Sequence, residues 1–144
     1  MHRITILLVV VFALLLSVPL AAGDAPAERT GIVKRGETPM TLLGTAVAVG
    51  DKAPSPPLWG PKLEEVNIDF ADGTTRVVLF VPSVDTPTCS MQTRTFNTRA
   101  PEAGQGAEVI VISRDLPYAQ SRFCAANGIE MVFPRSDYRT GGCS

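Results

Sequence analysis

Two short runs of branched apolar residues mark the middle of the chain, Arg76-Val77-Val78-Leu79-Phe80-Val81 and Glu108-Val109-Ile110-Val111-Ile112-Ser113. Neither alternates with polar residues, the pattern of strands buried on both faces. Between them, Cys89 to Ala100, closed by Pro101 and Gly104, predicts a crossover helix. Thr93, Thr95 and Thr98 are poor helix formers and only Met91 and Phe96 offer apolar contact, so packing must hold it. A second helix follows, with Asp115 as its cap, Pro117 in its first turn, Leu116, Ala119, Phe123 and Ala126 on one face, and Asn127-Gly128 as its stop. A third strand is expected from Ile129 to Phe133.

Upstream, Val66–Phe70 alternates as a strand and Asp72-Gly73 turns the chain. Gly50 to Pro61 carries four prolines, a density that opposes both helix and interior strand, so an extended surface connection is expected there. Ile32–Arg35, the turn residues Gly36–Pro39 and Met40–Leu43 predict an amino-terminal hairpin. Strands alternating with helices define an α/β class, with a sheet covered on both sides and right-handed crossovers. At 144 residues there is room for one core.

The first residues belong to another pattern. His2 and Arg3 precede an apolar run from Ile4 to Leu16, then Ser17, Pro19 and the small residues Ala21-Ala22-Gly23. That order is expected of a signal peptide over residues 1–23, leaving a mature domain over 24–144 that is exported, in the periplasm. An uncleaved membrane anchor is the alternative, since Ile4 to Ala22 approaches the ~20 residues of a bilayer span. Losing Arg3 from 13 basic residues leaves 12 against 14 acidic ones, with no basic stripe for nucleic acid. His2, the single histidine, would leave as well, which excludes a Ser-His-Asp triad, a Cys-His pair and any histidine metal site. The three cysteines, Cys89, Cys124 and Cys143, lack the spacing of a zinc site, so no metal is expected. In an oxidising compartment two of them are expected to bridge.

Cys89 falls just past the carboxyl end of a buried strand, after Pro82-Ser83-Val84-Asp85-Thr86-Pro87-Thr88, at a helix start. Unpaired backbone N–H groups and the positive end of the helix dipole favour a thiolate there. Thr86, three residues earlier, can offer its hydroxyl to the sulfur and to a bound substrate, and Pro82 can narrow the pocket and keep water out. On the residues alone, Cys124 reads as ordinary core beside the apolar face of the second helix.

Pro82, Thr86 and Cys89 match the Pro-x-x-x-Thr-x-x-Cys motif, and the chain resembles the peroxiredoxin family, in its thiol peroxidase branch. Val49-Gly50-Asp51-Lys52-Ala53-Pro54, Gln92-Thr93-Arg94, Asp115-Leu116-Pro117-Tyr118-Ala119-Gln120, Arg122-Phe123-Cys124 and Ser136-Asp137-Tyr138-Arg139 extend the likeness in family order. The resemblance implies a thioredoxin-like fold with the hairpin as an addition, and no cofactor. It implies a peroxide substrate, hydrogen peroxide or an alkyl hydroperoxide, with Cys89 as the peroxidatic and Cys124 as the resolving cysteine. A dithiol protein of the thioredoxin type would reduce their disulfide, and one helix would unfold locally to let it close. A permanent structural disulfide between the same cysteines, closing a loop of about 35 residues for roughly 3 to 4 kcal/mol, is the alternative.

Cys143 matches nothing in the family pattern, and Trp59 and Phe133 read as packing. Beyond Arg139 relatives are expected to continue with a hairpin, carrying an active-site arginine, and a final helix, and no residue here matches that arginine. The ending therefore reads as shortened, frameshifted or completed by a partner. An uncovered sheet edge would favour pairing with another chain, a homodimer included. Loss of one such donor typically costs 10²- to 10³-fold in rate, so two functions stay open: a thiol-dependent peroxidase, and a redox or interaction protein that keeps the fold without the turnover.

Overall fold

The computed structural model describes residues 26–143, and the expected leader over residues 1–23 lies outside them. The chain divides after Ala48 into two units. In the first, β1 (Glu28–Arg35) and β2 (Thr38–Leu43) pair antiparallel, with Arg35 opposite Thr38 and Val33 opposite Met40. The turn narrows from the expected four residues to Gly36-Glu37. Gly36 stands first, at φ 60°, as a two-residue hairpin loop of type II′ requires.

The second unit carries a five-stranded sheet in the order β4-β3-β7-β6-β5, built from β3 (Leu58–Trp59), β4 (Glu65–Val66), β5 (Arg76–Val81), β6 (Glu108–Ser113) and β7 (Val132–Ser136). β5, β6 and β7 run parallel, and β3 joins β7 and β4 antiparallel. The helices are α1 (Pro87–Arg99), continued by a 3₁₀ turn over Ala100–Ala103, and α2 (Pro117–Asn127).

Helix coverage differs from the expectation for this sheet. Cys89 and Phe96 of α1, Ala100 just beyond it, and Phe123 and Cys124 of α2 share one core with Leu79, Val81, Val109, Val111 and Val132, so both helices lie on the same face. The strand order supplies the reason. Two successive right-handed crossovers that step in one direction, β5 to β6 to β7, place their helices on one side. On the opposite face, Leu58, Val78, Ile110 and Ile112 pack with Ile68, Phe70 and Cys143.

Several elements shift from their sequence-derived bounds. The proline-rich stretch does contain an interior strand, because Leu58 and Trp59 are free of proline and pair on both sides. Leu58 is 1% exposed. β4 is only two residues long; the chain then leaves the sheet to lay Ile68 and Phe70 across the second core, where Ser55 Oγ donates to the Ile68 carbonyl at 2.6 Å. β5 is not buried on both faces, since it is the last strand in the order and Phe80 is 61% exposed. β7 starts at Val132 rather than Ile129, because the Ile129 N–H is used to close α2 on the Cys124 carbonyl at 3.0 Å. Trp59 is buried as expected, whereas Phe133 is 42% exposed.

The buried stripe of α2 runs through Pro117 and Gln120, with Phe123 and Cys124 packing beyond them, and Leu116 and Ala126 are exposed. Leu116 occupies the cap position with no side-chain hydrogen bond, so Asp115 does not cap this helix. Gly128, left-handed at φ 60°, ends it as its sequence implied.

Candidate active site

At the end of β5, Pro82 ends the strand by removing a donor. The next residues turn back on themselves: the Thr86 N–H and Thr86 Oγ1 both donate to the Ser83 carbonyl, at 3.2 and 3.0 Å. Thr86 is extended, at φ −81° and ψ 141°, and Pro87 opens α1, where a fixed φ suits the first turn. The first amide bonded back along the helix is that of Ser90, which donates to the Thr86 carbonyl at 2.9 Å. Thr88 and Cys89 thus sit where helix geometry leaves N–H groups without intrahelical acceptors. With no acidic residue in that turn, the position favours an anion.

Cys89 is 7% exposed and packs with Val81, Ala100 and Val111. One turn on, buried Thr93 donates to the Cys89 carbonyl at 2.9 Å. Cys124 packs half-buried against the same cluster, and burial pushes its thiol above the ordinary range. Pro82, Thr86 and Cys89 are therefore consecutive features of one loop and helix start, and Cys124 packs against the core that holds Cys89, while Pro82 and Thr86 are exposed. Cys143 lies across the sheet, against Ile110 and Ile112. Burial first, and Asp137 second, push its thiol up to about 11. All three cysteines are free. Pro82 also lines an open cavity of about 400 Å³ with Phe80, Val81, Ile112 and Cys143; Cys89 is not part of its wall.

Thr86 was expected to donate toward sulfur and substrate. Its proton is instead committed to the Ser83 carbonyl, which leaves its lone pairs as the free hydrogen-bonding capacity.

Sequence reasoning missed a polar hub behind this loop. The Asp115 carboxylate accepts from Ser83 Oγ at 2.7 Å, from the Val84 N–H at 2.8 Å and from Ser113 Oγ at 2.7 Å. Gln120 Nε2 donates to Ser113 Oγ at 2.9 Å and to the Arg135 carbonyl at 2.8 Å, and Ser136 Oγ donates to the Asp115 carbonyl. One signal was available, the polar Ser113 at the end of the apolar run Val109–Ile112; its pairing with Ser136 of β7 came only from the structure.

The redoxin family model matches residues 48–144. A thiol peroxidase of Halalkalibacterium halodurans is 46% identical over 101 residues, 70% of this chain and 60% of that protein. One from Staphylococcus saprophyticus is 42% identical over 103 residues, 72% and 62% of the two chains. This chain thus spans about three-fifths of the length of these curated relatives. Among solved structures, a peroxiredoxin-like protein from Aquifex aeolicus superposes with a TM-score of 0.71 at 37% identity, over 82% of this chain and 67% of that one. A thiol peroxidase from Chromobacterium violaceum, 20% identical with a TM-score of 0.63 over 74% of this chain and 62% of its own, shares the fold.

Proposed function

The chain belongs to the redoxin family, with a thioredoxin-like α/β fold, and from that premise we propose that it reduces peroxides through Cys89 and regenerates the thiol through a disulfide with Cys124. The observation that carries the reading is the placement of Pro82, Thr86 and Cys89 on one strand-to-helix turn, with Cys124 against the same core. In the first step the Cys89 thiolate attacks one peroxide oxygen; an S–O bond forms, the O–O bond breaks, and the other oxygen leaves as alcohol or water after taking a proton. The sulfenic acid then condenses with the Cys124 thiol, releasing water and forming the S–S bond. A dithiol protein of the thioredoxin type returns two electrons and two protons by thiol–disulfide exchange.

Burial bears on the second step. A thiol raised by desolvation is a poor nucleophile where it stands, and Cys124 regains ordinary acidity only on reaching water. Local opening of α1 or α2 on oxidation belongs to the proposal, and both helices start without a side-chain cap or an acidic residue in the first turn. Export of the chain, supported by the apolar leader, belongs to it too.

The test is to reduce the protein, add one equivalent of hydrogen peroxide, and follow the Cys89–Cys124 disulfide by mass spectrometry. Formation orders of magnitude faster than oxidation of a free thiol is the expected result, abolished in Cys89→Ser and halted at sulfenic acid in Cys124→Ser. Formation at the free-thiol rate would overturn the peroxidase reading in favour of a redox or interaction protein.

A further inference from the structure

We propose that Asp115 is the positioning residue of the Cys89 site, setting the Pro82–Thr86 loop through Ser83 and thereby aiming the Thr86 hydroxyl at a bound peroxide. The inference rests on the peroxidase reading above and adds a residue to it.

The directions of the hydrogen bonds are fixed by groups that have no choice. Gln120 Nε2 faces the Arg135 carbonyl, an obligate acceptor, so the same amide donates to Ser113 Oγ, and the Ser113 proton is left for Asp115 Oδ2. On the other side, Ser83 Oγ accepts the Asp85 N–H at 3.1 Å, which leaves its own proton for Asp115 Oδ1. Val84 N–H donates to Oδ2 while its side chain, 2% exposed, is sunk in the protein. One carboxylate at the end of β6 thus holds two consecutive residues of the loop after β5. The Ser83 carbonyl takes the Thr86 hydroxyl proton, so where Ser83 sits determines where the Thr86 lone pairs point.

Cys89 is held by different contacts, the apolar cluster around Val81, Ala100 and Val111 and the helix start itself. Disturbing Asp115 should therefore displace Thr86 relative to the sulfur while leaving the thiol as accessible as before. A displacement of an ångström at a reacting centre can cost on the order of 100-fold.

The experiment compares full-length wild type, Asp115→Asn, Ser83→Ala and the double variant in two reactions of Cys89: with hydrogen peroxide, and with iodoacetamide, which needs the thiolate but not Thr86. Each single variant should lose about 10- to 100-fold in the peroxide reaction and keep its alkylation rate within about threefold. The double variant should be no slower than the worse single one by more than about threefold, because both changes cut one link. Wild-type peroxide rates in the single variants, additive losses, or equal losses in both reactions would each overturn the proposal, the last by showing general damage. Should Asp115→Asn fail to fold, Ser83→Ala decides alone, and a peroxide rate within threefold of wild type overturns it. Should wild type itself react only as a free thiol does, the peroxidase reading falls separately, and hydrogen exchange at the Val84 amide reads the positioning directly. Loss of its protection in Asp115→Asn supports the proposal, and unchanged protection overturns it.

Discussion

Asn97 lies two turns beyond Cys89 and ties α1 to the connection between α2 and β7. Its Oδ1 accepts the N–H groups of Glu130 at 2.9 Å and Met131 at 2.8 Å, and its Nδ2 donates to the Gly128 carbonyl at 3.3 Å. Asn97→Ala removes all three. A neutral hydrogen bond contributes about 0.5–1.5 kcal/mol net, and the two amide donors are exposed enough for water to replace part of what is lost. The expected destabilisation is about 1–2 kcal/mol. For a unit of this size each kcal/mol lowers the melting temperature by roughly 4–8 °C, so a fall of about 4–16 °C is expected. Urea unfolding should show a lower midpoint with an unchanged slope, because the surface exposed on unfolding hardly changes. Hydrogen exchange adds a local signature: the amides of Glu130 and Met131 should lose protection before those of β7. Asn97→Asp keeps an acceptor for both amides and loses only the long donation to Gly128, so it should retain more than half of the stability lost by alanine. A stability change under ~0.3 kcal/mol in Asn97→Ala, or unchanged protection at both amides, would refute the clamp.

Two further outcomes follow from single sites. Gly128→Ala should lower stability by about 1 kcal/mol through left-handed backbone strain alone, since an added Cβ meets nothing within 4 Å; an unchanged melting temperature would show that α2 ends differently. Cys143, its thiol pushed up to about 11, should be alkylated roughly tenfold faster with each pH unit from 8 until that region, and a plateau below pH 9.5 would contradict its burial. The sign for stability is the same: the fold disfavours this thiolate, so the contribution is complete below the ordinary value of 9.0 and is lost as pH rises toward about 11.

Much of this protein could be read along the chain because the relevant physics is local. The runs Arg76–Val81 and Glu108–Ser113 coincide with β5 and β6, since short runs of branched apolar residues favour extended backbone, although only β6 is buried along nearly its whole length. Gly36 and Gly128 mark a turn and a helix end because only glycine takes those backbone angles without strain. The place of Cys89 at a helix start followed from its position just past one apolar run and before the next, although the helix opens two residues earlier than read, at Pro87. What depends on partners distant in sequence was decided only by the tertiary structure. Asp115 beside a helix start is a cap by local rules, yet Ser83, Val84 and Ser113 converge on its carboxylate once β5 and β6 pair, and three donors outcompete a cap. Leu58 and Trp59 become an interior strand because β4 and β7 supply hydrogen-bond partners that a proline-rich stretch cannot advertise. Both helices share one face because the strand order is β7-β6-β5, a non-local fact that apolar runs alone do not contain. That same order puts Cys124 with Cys89 on the helix side of the sheet and Cys143 on the other, a separation that the spacing of three cysteines leaves open.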